Sequence, residues 1–287
     1  MRYYQRRQDG DTRLLATADG SAYDLTSAKP GVDSFGALEE TAHVTDRTLD
    51  EVAQPLFDQA ETLPVGRVES ESIVPLVAEE VWAAGVTYRI SEAARTEESG
   101  MPEIYVDVYD ADRPELFLKS TPGRTVGPGE AIGVRGDSEW NVPEPELGVV
   151  LYRGDIVGYT IGNDVSSRSI EGANPLYLPQ AKIYDRGCSL GPCVTTDIED
   201  PHDLEMSLTI YRDEKAVFEG RTTTAEMVRS CEELASYLTR HNAVPELTVL
   251  LTGTSIVPDD EFSLQPDDTV VIDIEGIGTL RNPVIGV

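Results

Sequence analysis

The chain has 287 residues, enough to bury a sizeable core in one large domain or in one large and one small. Its 52 acidic residues against 23 basic ones give a net charge of −29, which argues against nucleic-acid and anionic-membrane partners because these want a basic surface. No run approaches the roughly 18 uninterrupted apolar residues of a membrane span, and the start MRYYQRRQDGDTR lacks an apolar secretory core, so a cytoplasmic protein is expected.

Only Lys29, Lys119, Lys182 and Lys215 are lysines; the other basic residues are arginines. Such an acid-rich, lysine-poor chain suits solubility in concentrated salt, where a Debye length of about 3 Å at 1 M screens self-repulsion. A lysine that persists against this bias invites a question about its role. The three cysteines, Cys188, Cys193 and Cys231, show no metal-ligand spacing and read as buried thiols.

In chain order, residues 1–70 open with a β-rich stretch, RLLATADGSAYDLT, followed by a predicted helix over Thr48–Thr62. Pro64 and Gly66 punctuate the chain, and a boundary is placed between a small N-terminal α/β domain, 1–70, and a catalytic domain, 71–287. Strand-like runs follow at Glu103–Tyr109, Leu147–Tyr152, Ile156–Ile161, Ser207–Tyr211, Ala216–Glu219 and Thr269–Ile274. One helix is expected over Ala225–His241, with Thr223 and Glu226 as a capping box and Met227, Cys231, Leu234 and Leu238 on one face. Helices and strands do not alternate regularly, which favours a mostly β, mainly antiparallel α+β fold over a doubly wound sheet.

The chemistry concentrates in Asn141-Val-Pro-Glu-Pro-Glu-Leu-Gly-Val-Val-Leu-Tyr152. Residues i and i+2 of an extended chain share a face, so Glu144 and Glu146 can converge on one ion. Pro143 and Pro145 enforce the extended backbone. The next strand-like run ends at Asp164, so two adjacent strands can deliver three oxygen ligands, a set that suits Mg2+, Mn2+ or Ca2+. Among 52 acids, such a group can also be a solvated acidic face. His43, His202 and His241 are scattered, and no phosphate loop, serine elbow or Cys–His pair is present.

Around these residues lie Phe117-Leu-Lys119, Glu144-Pro-Glu-Leu, Gly162-Asn-Asp-Val-Ser-Ser-Arg-Ser-Ile-Glu171, Gln180-Ala-Lys182, Leu190-Gly-Pro, Thr252-Gly-Thr254 and Ile274-Glu-Gly-Ile-Gly-Thr-Leu-Arg-Asn-Pro-Val284. In order and spacing, over roughly Val81 to Val287, this series resembles the fumarylacetoacetate hydrolase family. The resemblance implies a mixed β-roll catalytic domain behind a smaller N-terminal domain. It also implies a Mg2+ or similar ion on Glu144, Glu146 and Asp164, and a homodimer or homotetramer.

Hydrolases of that family carry Asn-Tyr-x-x-His-Ala-x-Glu, whose His/Glu pair activates water. Here the stretch reads Thr87-Tyr-Arg-Ile-Ser91-Glu-Ala-Ala94, with Ser91 at the His position and Ala94 at the Glu position. The surrounding text is similar to the branch that dehydrates 2-keto-3-deoxy sugar acids, such as the arabinonate and xylonate compounds. The expected activity is therefore a lyase: a 2-keto-3-deoxy-pentonate loses water to give 2,5-dioxopentanoate. Alternatives on the same metal platform are an acylpyruvate-type hydrolase and a 2-keto diacid decarboxylase. A non-catalytic acidic protein with many weak surface sites is the rival from another class.

Dehydration needs a group to take the C3 proton and another to serve the departing C4 hydroxyl. Lys182 is the first candidate, either shuttling protons with a lowered pKa or staying charged to stabilise an enolate. Lys119, Glu115 and Glu171 are the further catalytic candidates. Arg168, Thr254 and Ser91 are candidates for binding the substrate's carboxylate and hydroxyls. The polar run 93–100 reads as a lid over the site.

Overall fold

The first residues alternate into strands Arg2–Gln8, Asp11–Ala18 and Ser21–Asp24, linked by Asp9-Gly10 and Asp19-Gly20. All four turn residues have positive φ, the tight hairpin geometry that Asp-Gly supplies at low cost. Strand Arg2–Gln8 then pairs with Cys188–Thr195, so the first 70 residues and the later ones share one sheet. The computed structural model describes residues 1–88 and 111–287.

Among the described residues that sheet has twelve strands. Its main order is Glu61–Leu63, Ser21–Asp24, Asp11–Ala18, Arg2–Gln8, Cys188–Thr195, Asp155–Asp164, Pro145–Tyr152, Leu247–Leu251, Glu80–Gly85 and Glu115–Ser120. Five further strands, ordered Lys215–Thr223, Glu205–Arg212, Thr269–Ile274, Gly278–Gly286 and Ile132–Val134, form a second sheet. Most pairings are antiparallel; Leu247–Leu251 with Glu80–Gly85, Gly278–Gly286 with Ile132–Val134, and Cys188–Thr195 with Thr125–Val126 run parallel. This is the mostly β α+β architecture expected.

Strand Pro145–Tyr152 is buried along its whole length, and its two faces serve two cores. Leu147, Val149 and Leu151 join the cluster of Leu208, Ile210 and Ile272 from the second sheet, whereas Val150 joins Leu14, Phe35 and Leu38. A strand covered on both faces reads as a continuous apolar run, which is why this segment lacks a polar alternation.

Two helix expectations are corrected. The predicted helix over Thr48–Thr62 runs only Leu49–Ala53, capped by Thr48 and Glu51; Pro55 sits in a 3-10 turn, and Glu61–Leu63 is a strand. Proline in the next turn has no N–H to continue the helix. The helix predicted from Ala225 begins at Cys231, with Ser230 accepting from the Glu233 amide. Thr223 instead caps the 3-10 turn Thr224–Glu226. Met227 and Val228 are engaged elsewhere, bridging Tyr88 and donating to the Thr87 carbonyl (2.8 Å), so their backbone groups are unavailable to a helix. Helix Phe35–Thr45 was not anticipated. The strand runs beginning at Leu147, Ile156, Ser207, Ala216 and Thr269 all lie in strands, while Glu103–Tyr109 lies outside the described residues. No helix among the described residues is long and apolar enough to cross a membrane.

Candidate metal centre

The antiparallel pair Pro145–Tyr152 and Asp155–Asp164 sets Glu146 opposite Gly162 and Pro145 opposite Asn163. The Asp164 amide donates to the Glu144 carbonyl (2.9 Å), and the Glu144 amide donates to Asn163 Oδ1 (3.2 Å). The register therefore brings the ends of both strands together, and Glu144, Glu146 and Asp164 each offer an oxygen within 4.8 Å of the others. All three are buried. Three buried carboxylates at this spacing repel strongly unless a cation sits among them, and an oxygen-only donor set fits a hard divalent ion.

Protein cations meet part of that charge. Lys182 Nζ donates to Glu144 Oε2 (2.5 Å), Ser166 Oγ (2.7 Å) and Asp164 Oδ2 (3.3 Å). Arg168 lies 2.8 Å from Glu144 Oε1 and 3.9 Å from Glu171 Oε2. Lys119 lies 2.6 Å from Asp164 Oδ1. Glu146 Oε2 is held instead by the Gly253 amide (2.6 Å). Gly253 has φ +84°, and a Cβ there would meet Thr87 Oγ1 at 2.1 Å, so only glycine brings this N–H to the carboxylate.

The electrostatics follow these partners. Burial pushes the Glu144 carboxyl up, but Lys182, Arg168 and Ser166 outweigh it and bring it down to about 2. Burial and the charges of Asp164 and Glu144 push Glu146 well above the usual carboxylate range. For Lys182, burial works downward, yet Asp164, Glu144 and Glu171 raise it well above an ordinary lysine. Without a bound ion, these carboxylates favour the charged ammonium of Lys182.

Strand Glu115–Ser120 supplies the other wall. Alternation puts Glu115, Phe117 and Lys119 on one face. Lys182 Nζ lies 5.3 Å from the Phe117 ring centre, a cation–π contact. Burial raises the Glu115 pKa, with Lys182 lowering it and Glu171, Glu144 and Asp164 adding to the rise. Its carboxylate lies across Gly85, where a Cβ would meet Glu115 Oε2 at 2.0 Å. Glu171, on the short helix Arg168–Ala173, has a buried Oε2 with no hydrogen-bond partner.

The structure thus gathers Glu144, Asp164, Lys182, Lys119 and Arg168 in one ion-pair network, with Glu146 within 4.8 Å of the other two acids and Glu115 and Glu171 beside them. Thr254 follows Gly253, is partly buried and accepts from the Ile256 amide (3.1 Å). Ser91 and the run 93–100 lie outside the described residues. Sequence reasoning assigned no role to Ser166, Gly253, Phe117 or Gly85. Phe117, Ser166 and Gly253 sit inside quoted motifs, so their company was a usable signal; a backbone amide and an absent Cβ leave no side-chain signature.

Residues 80–285 match the family model described as fumarylacetoacetate (FAA) hydrolase C-terminal. A Haloferax volcanii protein named "Probable 2-keto-3-deoxyxylonate dehydratase" is 62% identical over 286 residues, 99% of each chain. The 2-dehydro-3-deoxy-D-arabinonate dehydratase of Saccharolobus solfataricus is 48% identical over 217 residues, 73% of each chain. A solved 2-keto-3-deoxy-D-arabinonate dehydratase complexed with magnesium and 2,5-dioxopentanoate superposes with a TM-score of 0.84 at 37% identity, covering 100% of this chain and 99% of that one. The chain belongs to the fumarylacetoacetate hydrolase family.

Proposed function

We propose that the chain is a Mg2+-dependent dehydratase, a hydro-lyase that converts a 2-keto-3-deoxy-pentonate to 2,5-dioxopentanoate in pentose breakdown. The observation that carries this reading is the buried trio Glu144, Glu146 and Asp164 with Lys182 against it, in a chain so similar to a dehydratase whose structure holds magnesium and that product.

The bound ion supplies Lewis acidity toward a carboxylate and an adjacent carbonyl. The chain's own residues do the rest. Lys182, whose carboxylate partners favour the ammonium, is assigned to stabilise the negative charge that develops on the C2 oxygen as the C3 proton leaves. Glu171, whose Oε2 has no hydrogen-bond partner, is assigned to take that proton. Glu115, whose burial favours the protonated form, is assigned to give a proton to the C4 hydroxyl as it departs as water. Loss of a proton from C5 and gain of one at C3 then move the C3=C4 double bond to C4–C5, giving an enol that tautomerises to the aldehyde. The sum is one substrate minus one water.

Arg168, Thr254 and Ser91 are assigned to the substrate's carboxylate and hydroxyls. Ser91 and Ala94 occupy the positions of the family's water-activating pair, which favours dehydration over acylpyruvate hydrolysis. The same proposal includes an N-terminal domain over 1–70, a catalytic domain over 71–287, cytoplasmic residence, and a homodimer or homotetramer.

The test is product analysis. Purified protein with Mg2+ should turn a 2-keto-3-deoxy-pentonate into 2,5-dioxopentanoate, and EDTA should stop it. Carboxylate fragments would indicate a hydrolase and CO2 a decarboxylase. Full activity in metal-stripped protein would sink the metal-dependent reading.

A further inference from the structure

Lys119 is among the largest fully buried side chains, and an ammonium has only three hydrogens to donate. Three acceptors surround Nζ: Lys182 O at 2.5 Å, Asp164 Oδ1 at 2.6 Å and Val165 O at 2.8 Å. They belong to two pieces of chain that meet nowhere near each other in sequence. One is the end of the strand that presents Asp164; the other is the last residue of the five-residue helix Leu178–Lys182. A proton carrier needs a hydrogen or a lone pair free for substrate, and Lys119 has neither free.

Nearby groups work on the same two pieces. The Tyr184 hydroxyl donates to Val165 O (2.9 Å), and Lys119 Nζ lies 5.4 Å from the Tyr184 ring centre. Arg135 lies 5.6 Å from that ring centre and donates to Gln180 O (3.1 Å). The carbonyls of the last helical turn, Gln180 and Lys182, are therefore each met by a cation. Such partners satisfy carbonyls that a helix end leaves open.

We infer that Lys119 is a positioning residue, not a proton carrier: it locks the Lys182 backbone to Asp164, so that the Lys182 ammonium and the Asp164 carboxylate keep one geometry. Phe117, two residues back on the same strand face, supports the Lys182 ammonium itself. One strand thus fixes both ends of Lys182.

The inference rests on the proposed dehydration, and the experiment separates the two. Binding of Mn2+ alone, measured by calorimetry on the full-length chain, does not depend on which substrate is correct. Lys119→Met should weaken Mn2+ binding by about 10- to 100-fold, the usual cost of losing an outer partner of a metal ligand. It should lower kcat by a similar factor, while both limbs of the pH–rate profile stay at their wild-type pH. Tyr184→Phe, which removes one hydroxyl and no charge, should move Mn2+ affinity and kcat the same way by about threefold, and it serves if Lys119→Met does not fold. Loss of one limb of the profile with unchanged Mn2+ affinity would make Lys119 a proton carrier and overturn the inference. Unchanged Mn2+ affinity and kcat in both variants would overturn it equally. A wild-type protein that binds Mn2+ but does not dehydrate the pentonate would count against the proposed function alone.

Discussion

Two regions of this molecule accommodate their buried acids in opposite ways. In the N-terminal residues, Asp24 is fully buried between Arg13 (2.6 Å) and Arg6 (3.4 Å) and also caps the Ser27 amide (3.0 Å). Glu39 is buried too, with an Oε1 that lacks any hydrogen-bond partner, and burial alone pushes its pKa up to about 7. Each charge there is settled singly, by arginines or by taking up a proton. At the metal centre, Glu144, Glu146 and Asp164 crowd one another, and the cations present favour Glu144 and Asp164 over Glu146. Burial of an acid is therefore no sign of function. Crowding that leaves one acid unbalanced is the informative feature, because a bound ion relieves it.

The sharpest way to break this contrast is Glu146→Gln. If crowding is relieved by an ion, the variant should bind Mn2+ more than about 100-fold more weakly, a larger loss than an outer partner gives. The metal-free variant should melt no lower than the metal-free wild type, because an amide at this position removes repulsion and its oxygen still accepts from Gly253. Unchanged metal affinity by calorimetry would remove Glu146 from the site.

Spacing made that trio possible in the sequence, and the surrounding motifs that resemble the fumarylacetoacetate hydrolase family made it specific. Two carboxylates two residues apart, with prolines enforcing extension, must share a face, and the next strand must return beside them. The sheet realises this register. The helices were less legible because tertiary demands overrode periodicity. Met227 sits in the helical pattern but is taken by the bridge to Tyr88, and Pro55 cuts a run whose composition otherwise reads as helix. Helix Leu178–Lys182 is too short to show a period, so Lys182 could be named but not placed. Lys119 was named for its rarity and motif, whereas its three committed hydrogen bonds became visible only in three dimensions.

Gly85→Ala tests the proton carriers without touching the metal. The added Cβ would meet Glu115 Oε2 at 2.0 Å, the far end of a flexible side chain, so the carboxylate moves and the backbone need not. Displacing a catalytic group by about 1 Å costs on the order of 100-fold in rate. We expect kcat to fall by about that factor, with Mn2+ affinity unchanged and the melting temperature little altered. A variant with wild-type kcat would show that the position of Glu115 does not matter to the reaction.

Glu39→Gln addresses the other region, and its effect is the smallest of these. The carboxyl has an ordinary value near 4.5 when unfolded and about 7 when folded. The folded state therefore holds the proton more tightly, and native stability falls as pH rises from about 4.5 to about 7. Above that window the charged form carries the full penalty, at most about 3 kcal/mol. A neutral amide escapes it. In concentrated KCl, where surface charges are screened, the variant should exceed the wild type by that amount at pH 8, and the gap should close as pH falls toward 4.5. Mn2+ affinity should not change, because the acid lies in the core formed by Tyr3, Phe35 and Leu38, far in sequence from the trio. A gap that stays constant with pH would mean that folding does not raise the Glu39 pKa, and that this acid is not accommodated by taking up a proton.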